Sequence, residues 1–364
     1  MKRTKITLIF GTRPEAVKMC PLILELKKRP WAEARVVVSG QHRELCREVL
    51  EFFGVTPDLD LDIMSHGQTL FDLTEKLLRE VRRELADNPP DLLLVHGDTT
   101  TAFSASLAAF YLGVRVGHVE AGLRSRDLFS PFPEEFNRRA IDASSFLHFC
   151  PTEIAKKNLI AEGMDGGRIF VTGNTVVDAL GYTLGGAIPR PPSDDVRLLL
   201  TLHRRESRGE QILAVLRAVR RAAERYEKLS VVFPAHPASE VQSAASEVLS
   251  GAPRISVIPP LPLPEFHRSL FESDLVLSDS GGVLEEAVSL GKPLLLARNT
   301  TERPEGIASG GVIPVGTDEE EVFSALCRFI DSPDERKNVV AHGNPFGDGR
   351  ASERIADIVC SFKN

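Results

Sequence analysis

The sequence lacks the features that mark secreted, disulfide-bonded and membrane-spanning proteins. Its five cysteines are odd in number and far apart, without a Cys-x-x-Cys pair, as is typical of reduced, mostly buried thiols in a cytosolic protein. No run approaches the roughly 20 continuous apolar residues that a membrane helix needs. The apolar run at 6–10 is too short for the core of a signal peptide. We therefore expect a cytoplasmic protein without a membrane segment.

A surplus of basic residues is also missing. The chain has 44 Lys and Arg residues against 51 Asp and Glu residues, which gives a net charge of -7. This balance argues against a general affinity for nucleic acid or for an anionic membrane. An anionic ligand would have to be bound by a local group of cations.

The chain is long enough for two domains, since it has 364 residues and a domain averages about 150. Short, nearly all-apolar runs alternate with amphipathic segments, which predicts an α/β protein with two doubly wound parallel sheets. A Gly- and Pro-rich linker at 181–195 separates the two sets of about six strands. The predicted strands are 5–10, 34–39, 92–96, 115–119, 146–150 and 169–172, then 197–202, 229–233, 255–258, 275–278, 293–297 and 312–315. The clearest predicted helices are 15–28, 70–85, 210–226 and 284–290.

In such sheets ligands bind at the carboxyl ends of the strands, so two facing domains would enclose a ligand in a cleft. The segment 11–15 follows the first strand and opens a helix, where free N–H groups attract anions. Arg13 and Lys18 add positive charge. The segment is either a plain turn with solvated basic residues or, as the two cations favour, a phosphate or carboxylate site.

Three carboxylates follow in the first half. Asp98 comes directly after a strand, where capping of the helix at 101–111 is the simpler interpretation. Glu120 also follows a strand, and a buried acid without a partner is costly, which indicates a function. Glu134 and Glu135 lie in the first turn of a helix, where the dipole favours negative charge. Together the three acids could provide the proton acceptor and donor of acid-base catalysis.

Two histidines each precede one of these acids by two residues. His96 with Asp98 and His118 with Glu120 could share a face and bind a metal ion. Histidines near strand ends are more often simply hydrogen-bonded, and we predict no metal site. In the second half, His203 ends a strand beside two arginines, which favours donation to a leaving phosphate over a structural hydrogen bond.

A second candidate site follows the strand at 275–278. Ser280, Gly281 and Gly282 lead into a helix, so backbone N–H groups and the serine hydroxyl could hold a diphosphate. Glu286, one turn on, could accept hydrogen bonds from ribose hydroxyls, and Arg303 could bind the same phosphates. The segment lacks both the G-x-G-x-x-G spacing and the GK[ST] ending of a P-loop. It therefore indicates a nucleoside diphosphate group without a magnesium-gripping lysine.

Ordered sequence blocks cover essentially the whole chain. They are GTRPEAVKM, VHGDTTTAF, GHVEAGLRS, PFPEEFNRR, IFVTGNTVVDAL, TLHRRE, SDSGGVLEEA, TTERPEG and NPFGDGRASERI. In this order the chain resembles the bacterial non-hydrolysing UDP-N-acetylglucosamine 2-epimerases. The resemblance implies a GT-B fold of two Rossmann-like domains, a homodimer, and no NAD or metal cofactor. It implies domains at 1–172 plus 347–364, where a C-terminal helix crosses back, and at 173–346.

The resemblance also implies a reaction, the reversible interconversion of UDP-N-acetylglucosamine (UDP-GlcNAc) and UDP-N-acetylmannosamine (UDP-ManNAc) for cell-surface polysaccharide. UDP leaves anti to the C2 proton, giving 2-acetamidoglucal, and adds back after protonation of the opposite face. The alternatives are a hydrolysing epimerase, an epimerase of a related UDP-diacetamido-uronate, a GT-B glycosyltransferase and a noncatalytic UDP-sugar sensor.

Residue by residue, the resemblance assigns two sets of positions. The catalytic positions are Asp98, Glu120, Glu134 and His203, so the capping interpretation of Asp98 gives way. The UDP-sugar positions are Arg13, Lys18, Phe266, Ser280, Gly281, Gly282, Glu286 and Arg303, of which Phe266 rests on the resemblance alone. Many members bind a second UDP-GlcNAc as activator, and the matching positions here are Gln41, Gln68 and His236. This chain has Glu44 and Gly67 where that pattern has glutamine and arginine.

Overall fold

The computed structural model describes residues 3–41, 43–65, 67–191, 193–202, 209–236, 238–298, 301–339 and 343–362. The chain divides into two compact units. The first comprises Met1–Ala179 and Phe346–Asn364, and the second comprises Leu180–Pro345. Among the described residues no helix combines the length and the apolar character that crossing a membrane requires.

Each unit contains one parallel β-sheet. The strands are β1 (Thr4–Phe10), β2 (Ala32–Val38), β3 (Leu59–Asp60), β4 (Leu92–His96), β5 (Arg115–Val119), β6 (Leu147–Cys150), β7 (Ile169–Val171), β8 (Val196–Thr201), β9 (Leu229–Pro234), β10 (Ile255–Ile258), β11 (Leu275–Ser278), β12 (Leu294–Leu296) and β13 (Val312–Pro314). The strand order is β3-β2-β1-β4-β5-β6-β7 in the first unit and β10-β9-β8-β11-β12-β13 in the second. All twelve predicted strands are confirmed to within two residues. The two-residue strand β3 was missed because it is too short to show a periodicity.

The helices connect these strands. They are α1 (Arg13–Lys27), α2 (Arg43–Phe52), α3 (Leu70–Asp87), α4 (Thr100–Tyr111), α5 (Glu134–Ser144), α6 (Glu153–Ala161), α7 (Thr175–Leu184), α8 (Glu210–Arg225), α9 (Ser239–Leu249), α10 (Leu263–Glu272), α11 (Gly281–Ser289), α12 (Pro304–Ala308), α13 (Glu319–Asp331), α14 (Pro333–Val339) and α15 (Ala351–Ser361). A 3-10 turn spans Gly166–Arg168. In the first unit α3, α4 and α5 pack in succession, whereas α1 packs against α2 and α15. Helices on both faces explain why the central strands are apolar throughout.

The first unit extends beyond residue 172, its predicted end, because the start of α7 is tied to the C-terminal segment. The Asn174 backbone N–H donates to the Phe346 carbonyl at 2.7 Å. The Asp178 carboxylate accepts the backbone N–H groups of Ala351 and Ser352 at 3.1 and 2.8 Å, and so caps α15. The predicted linker at 181–195 also begins too early, since residues 181–184 form the last turn of α7.

A buried ionic cluster ties the loop after β5 to α5. Asp142 on α5 is fully buried, and its carboxylate contacts His118 Nδ1 at 2.6 Å and Arg124 Nη2 at 2.8 Å. His118 Nε2 lies 2.7 Å from the Gly97 carbonyl. Burial by itself raises the pKa of Asp142, but the charges of His118 and Arg124 hold it at about 2. His118 therefore has the structural role that its position near a strand end suggested, since both of its ring nitrogens contact Asp142 or Gly97.

We predict that Asp142→Asn lowers the free energy of unfolding by about 3 kcal/mol, because it removes the buried carboxylate that contacts both His118 and Arg124 and leaves Arg124 paired with the partly exposed Glu162 at 2.6 Å. Urea denaturation at pH 7 measures this change. Glu75→Gln is the control, since Glu75 is exposed and lies 3.8 Å from Arg79, and a surface change of this kind costs under about 0.5 kcal/mol. A similarly small effect of Asp142→Asn would contradict the role of the cluster.

The loss of stability caused by Asp142→Asn should depend on pH. The pKa of Asp142 in the folded protein, about 2, lies below the ordinary value of about 3.9. The stability that its charge contributes is therefore fully present above about pH 4 and is lost as the pH falls towards 2. The difference between wild type and variant should shrink over that interval.

Candidate active site

The carboxyl ends of β1, β4 and β5 bring the predicted residues of the first unit together. The strand order reverses between β1 and β4, and such a reversal opens a crevice at the carboxyl ends of the strands. Arg13 and Lys18 follow β1, Asp98 follows β4 and Glu120 follows β5.

The turn after β1 is stabilised by a carboxylate of the chain itself. Thr12 caps α1, and the Glu15 side chain accepts the backbone N–H groups of Gly11 and Thr12 at 3.1 and 2.8 Å. Thr99 Oγ1 also donates to Glu15 at 2.8 Å. Burial raises the pKa of Glu15 despite these bonds. Within the segment 11–15, which is predicted to attract an anion, the N–H groups of Gly11 and Thr12 are therefore already occupied by Glu15, and the Thr-x-x-Glu capping box is the sequence signal for this.

Glu120 is held from three directions. Its backbone adopts φ of +68°, in the left-handed region that is uncommon for a residue with a side chain. Its buried Oε2 forms an ion pair with Lys18 Nζ, accepts Asn174 Nδ2 at 3.1 Å and lies 3.3 Å from His96 Nε2. Lys18, predicted to bind phosphate, thus contacts a carboxylate of the candidate site. Asn174 lies in the block IFVTGNTVVDAL, but no local pattern distinguishes it.

His96 is the second buried group beside Glu120. It ends β4, and its side chain is almost fully buried. Neither ring nitrogen makes a hydrogen bond within the described part of the chain, because the contact with Glu120 is not aligned for one. No three His, Cys, Asp or Glu residues among those described are arranged to hold a metal ion. A buried imidazole with unused polar atoms is a group available to a ligand or a water molecule.

Asp98 is fixed by α5. Its side chain is partly exposed and forms an ion pair with Arg138, and its carbonyl accepts Asn137 Nδ2 at 2.9 Å. Thr99 caps α4 instead, since its Oγ1 accepts the Ala102 N–H at 3.0 Å. The capping interpretation of Asp98 is therefore wrong, and its carboxylate lies at the edge of the crevice.

The two adjacent glutamates of α5 differ in surroundings. Glu135 is fully buried, and its carboxylate accepts the backbone N–H groups of Ser125 and Arg126 at 3.0 and 3.3 Å. Glu134 begins α5 and is half-buried, as is Arg13 at the start of α1. Glu135 thus orders the preceding loop, whereas Glu134 is accessible from solvent.

In the second unit the strand order reverses between β8 and β11. Ser280 follows β11, while His203 follows β8 in the sequence and lies outside the described residues. Ser280 caps α11, since its Oγ accepts the Val283 N–H at 3.4 Å. A Cβ atom on Gly281 would lie 2.4 Å from Arg303 Nη1. The absence of a side chain at Gly281 lets Arg303 reach the amino end of α11.

Arg303 is balanced by two carboxylates. Its Nε donates to Glu285 at 2.5 Å, and its Nη1 forms an ion pair with Glu302. Glu302 also accepts from Arg298 Nη2 at 2.9 Å. The buried chain of alternating charges fixes the guanidinium beside α11, where helix N–H groups and an arginine favour an anion.

Glu286 and Phe266 are both in contact with His267, a residue that the sequence analysis does not single out. Glu286 is buried on α11, and its Oε1 lies 3.4 Å from His267 Nε2. His267 is adjacent to the half-buried Phe266 on α10, with ring centroids 6.2 Å apart. His267 lies four residues after Leu263 and three before Leu270, so all three fall on the buried face of an amphipathic helix. This spacing is the sequence pattern that could have indicated that His267 is buried.

The three residues matched to a second UDP-GlcNAc site are divided between the units. Gln41 Oε1 accepts Thr101 Oγ1 at 3.1 Å, and Gln68 Nε2 donates to the Ile63 carbonyl at 3.0 Å, both in the first unit. His236 is exposed in the second unit. Their allosteric role stays a prediction.

We predict that Gly281→Ala displaces the Arg303 guanidinium and weakens the UDP binding that the resemblance implies about tenfold or more, since a hydrogen bond to a charged group contributes about 1.5–3 kcal/mol. Isothermal titration calorimetry measures the affinity. Gly282→Ala is the matched comparison, because the nearest atom to its new Cβ is Ser280 Oγ at 3.9 Å, and its loss should be clearly smaller. Equal losses would contradict the importance of the close approach of Arg303.

Comparison with known proteins places this geometry in a family. The family model described as UDP-N-acetylglucosamine 2-epimerase matches residues 24–360. The UDP-N-acetylglucosamine 2-epimerase of Bacillus subtilis is 46% identical over 98% of this chain and 95% of its own. The structure of UDP-GlcNAc 2-epimerase from Neisseria meningitidis bound to UDP-GlcNAc is 40% identical, with a TM-score of 0.94 over 98% of this chain and 100% of its own.

A further solved structure, Staphylococcus aureus MnaA with UDP, is 42% identical, with a TM-score of 0.93 over 99% of this chain and 96% of its own. The kitacinnamycin glycotransferase, 14% identical with a TM-score of 0.68, shares the fold alone. The predicted fold class of two Rossmann-like domains of the GT-B type is confirmed. The chain belongs to the UDP-N-acetylglucosamine 2-epimerase family.

Proposed function

We propose that this protein interconverts UDP-GlcNAc and UDP-ManNAc by non-hydrolysing epimerisation at C2. The observation that carries the proposal is the buried Glu120 carboxylate, held by Lys18 and Asn174 beside His96, with Asp98 at the same sheet edge. The family supports the substrate, because its Neisseria member binds UDP-GlcNAc and MnaA binds UDP.

The chemistry of the sugar explains why two carboxylates are needed. The C2 proton has no adjacent carbonyl to acidify it. A base removes this proton while the C1–O bond to the diphosphate breaks anti to it. The C–H electron pair forms the C1=C2 double bond of 2-acetamidoglucal, and the C1–O pair leaves with UDP. An acid then protonates C2 on the opposite face as UDP adds back to C1.

Asp98 and Glu120 are suited to divide these tasks because their surroundings differ. Glu120 is buried among polar groups, whereas Asp98 is partly exposed and paired with Arg138. When two carboxyl groups lie in different environments, one can act as the proton acceptor and the other as the proton donor. We assign Glu134 as a third acid-base group and His203 as the group that assists the departing diphosphate.

The second unit is proposed to hold the UDP moiety. The backbone N–H groups at Gly281 and Gly282 and the Ser280 hydroxyl would bind the diphosphate at the amino end of α11. Arg303 would contribute charge there, and Glu286 would accept the ribose hydroxyls. Phe266 on α10 is a further proposed UDP-sugar position of this unit, and Arg13 and Lys18 are the proposed UDP-sugar positions of the first unit.

The test is an NMR time course with UDP-GlcNAc in D2O. We expect UDP-ManNAc to appear and both sugar nucleotides to carry deuterium at C2. Asp98→Asn and Glu120→Gln should each lower turnover about 100-fold to 10,000-fold, the usual contribution of general acid-base catalysis, and leave UDP affinity largely intact. Glu153→Gln, an exposed change on α6, is the control with wild-type turnover.

Several other outcomes would contradict the proposal. Free N-acetylmannosamine with UDP would indicate a hydrolysing epimerase, and UDP release only after an acceptor is added would indicate a glycosyltransferase. Reaction of a UDP-diacetamido-uronate in place of UDP-GlcNAc would change the substrate. Binding without turnover would indicate a sensor. Wild-type turnover in both carboxamide variants would overturn the site assignment.

We further propose that the protein works as a cytoplasmic homodimer that supplies sugars for cell-surface polysaccharide. Phe110 and Tyr111 at the end of α4 are 58% and 75% exposed, and exposed aromatic side chains are suited to an interface. Light scattering after size-exclusion chromatography should give about twice the 40.0 kDa mass of the chain. The mass of a single chain at micromolar concentration would contradict the dimer.

A further inference from the structure

His267 contacts side chains on two other helices within the second unit. It lies on α10 and is fully buried. Its Nδ1 is 2.7 Å from Thr183 Oγ1 on α7, and its Nε2 is 3.4 Å from Glu286 Oε1 on α11. Within the described residues Nε2 makes no aligned hydrogen bond, and the Glu286 carboxylate lies at contact distance from it without one.

The two ring nitrogens can be assigned from their neighbours. The Thr183 hydroxyl has one hydrogen, which can go to His267 Nδ1 at 2.7 Å or to the Leu180 carbonyl at 3.3 Å. Donation to Leu180 would place the hydrogen of a neutral imidazole on Nδ1 and turn the Nε2 lone pair towards the negative Glu286. Donation to Nδ1 puts the hydrogen on Nε2, where it faces the carboxylate. The shorter distance and the charge of Glu286 favour the second arrangement.

We propose that His267 is a positioning residue for nucleotide recognition. The Thr183 hydroxyl donates to Nδ1 and so places the ring hydrogen on Nε2, and Nε2–H directs one oxygen of Glu286 so that the carboxylate is set to accept ribose hydroxyls. This inference rests on the proposed function, since it takes Glu286 as the group that recognises ribose. It assigns to His267 and Thr183 a role in distinguishing ribose from sugars that lack its hydroxyls.

A packing role for His267 leads to a different expectation. If the residue only fills space among α7, α10 and α11, its loss would weaken every nucleotide to the same extent. If it orients Glu286, its loss would affect only ligands whose ribose hydroxyls reach the carboxylate. A ligand without these hydroxyls therefore separates the two roles.

The experiment measures the dissociation constants of UDP and 2′,3′-dideoxy-UDP by calorimetry. We expect wild type to bind UDP at least tenfold more tightly than the dideoxy analogue, and Glu286→Gln to remove most of that preference. His267→Asn should reduce the preference at least threefold with little change for the analogue. His267→Gln, whose amide nitrogen reaches near the Nε2 position, should retain more of it. Arg268→Gln, an exposed change on the same helix, should bind both ligands as wild type does.

Substitution of Thr183 tests the proposal while the imidazole of His267 stays in place. Thr183 is half-buried, and Thr183→Val removes the hydroxyl at nearly constant volume. It should lower the preference for UDP, and Thr183→Ser should restore it. The long-range proton-nitrogen NMR spectrum of wild type should show His267 as the Nε2–H tautomer.

Three results would overturn the proposal. These are an Nδ1–H tautomer, an unchanged ratio of the two dissociation constants in Thr183→Val, and equal weakening of both ligands in His267→Asn. Failure of the proposed function has its own signature, because wild type would then form no UDP-ManNAc, and this product is measured independently of the two dissociation constants.

Discussion

A buried carboxylate needs a counter-charge, and this requirement decides how the candidate active site is built. Glu120 lies beyond the end of β5 with its carboxylate out of water, so Lys18 and Asn174 must approach it from other segments of the first unit. The buried carboxylate of Asp142, in the same unit, is likewise paired with His118 and Arg124. The sheets bring these segments together, and the ion pairs fix their side chains.

The same rule applies at the amino end of α11. There Arg303 lies between Glu285 and Glu302, and its approach is allowed by the missing side chain at Gly281. A diphosphate bound here would meet a guanidinium that the protein has already oriented. Orientation before binding lowers the entropy cost of recognition, which is how a small site can hold a highly charged ligand.

The sequence predicted those parts of the structure that local pattern controls. Strands such as β4 and β11 are short apolar runs, and turns at Gly11 and Ser280 follow from residues with known backbone preferences. It could not predict the partners of Glu120, because Lys18 lies 102 positions away in the chain and Asn174 lies 54 away. The position of Asp98 could be predicted because it directly follows a strand that is visible in the sequence. Whether Asp98 or Thr99 caps α4 depends on the direction of each side chain, which the sequence does not show.

The pairing of cations with carboxylates also determines how the protein meets its ligand in solution. Three of the cations named at the two sites form ion pairs within their own unit. The pairs are Lys18 with Glu120, Arg138 with Asp98, and Arg303 with Glu285 and Glu302. Neutralised groups project little field beyond a Debye length, and the chain as a whole carries -7. A sugar nucleotide, itself an anion, would therefore meet a net repulsion as it approaches, and its association rate would rise as salt screens that repulsion.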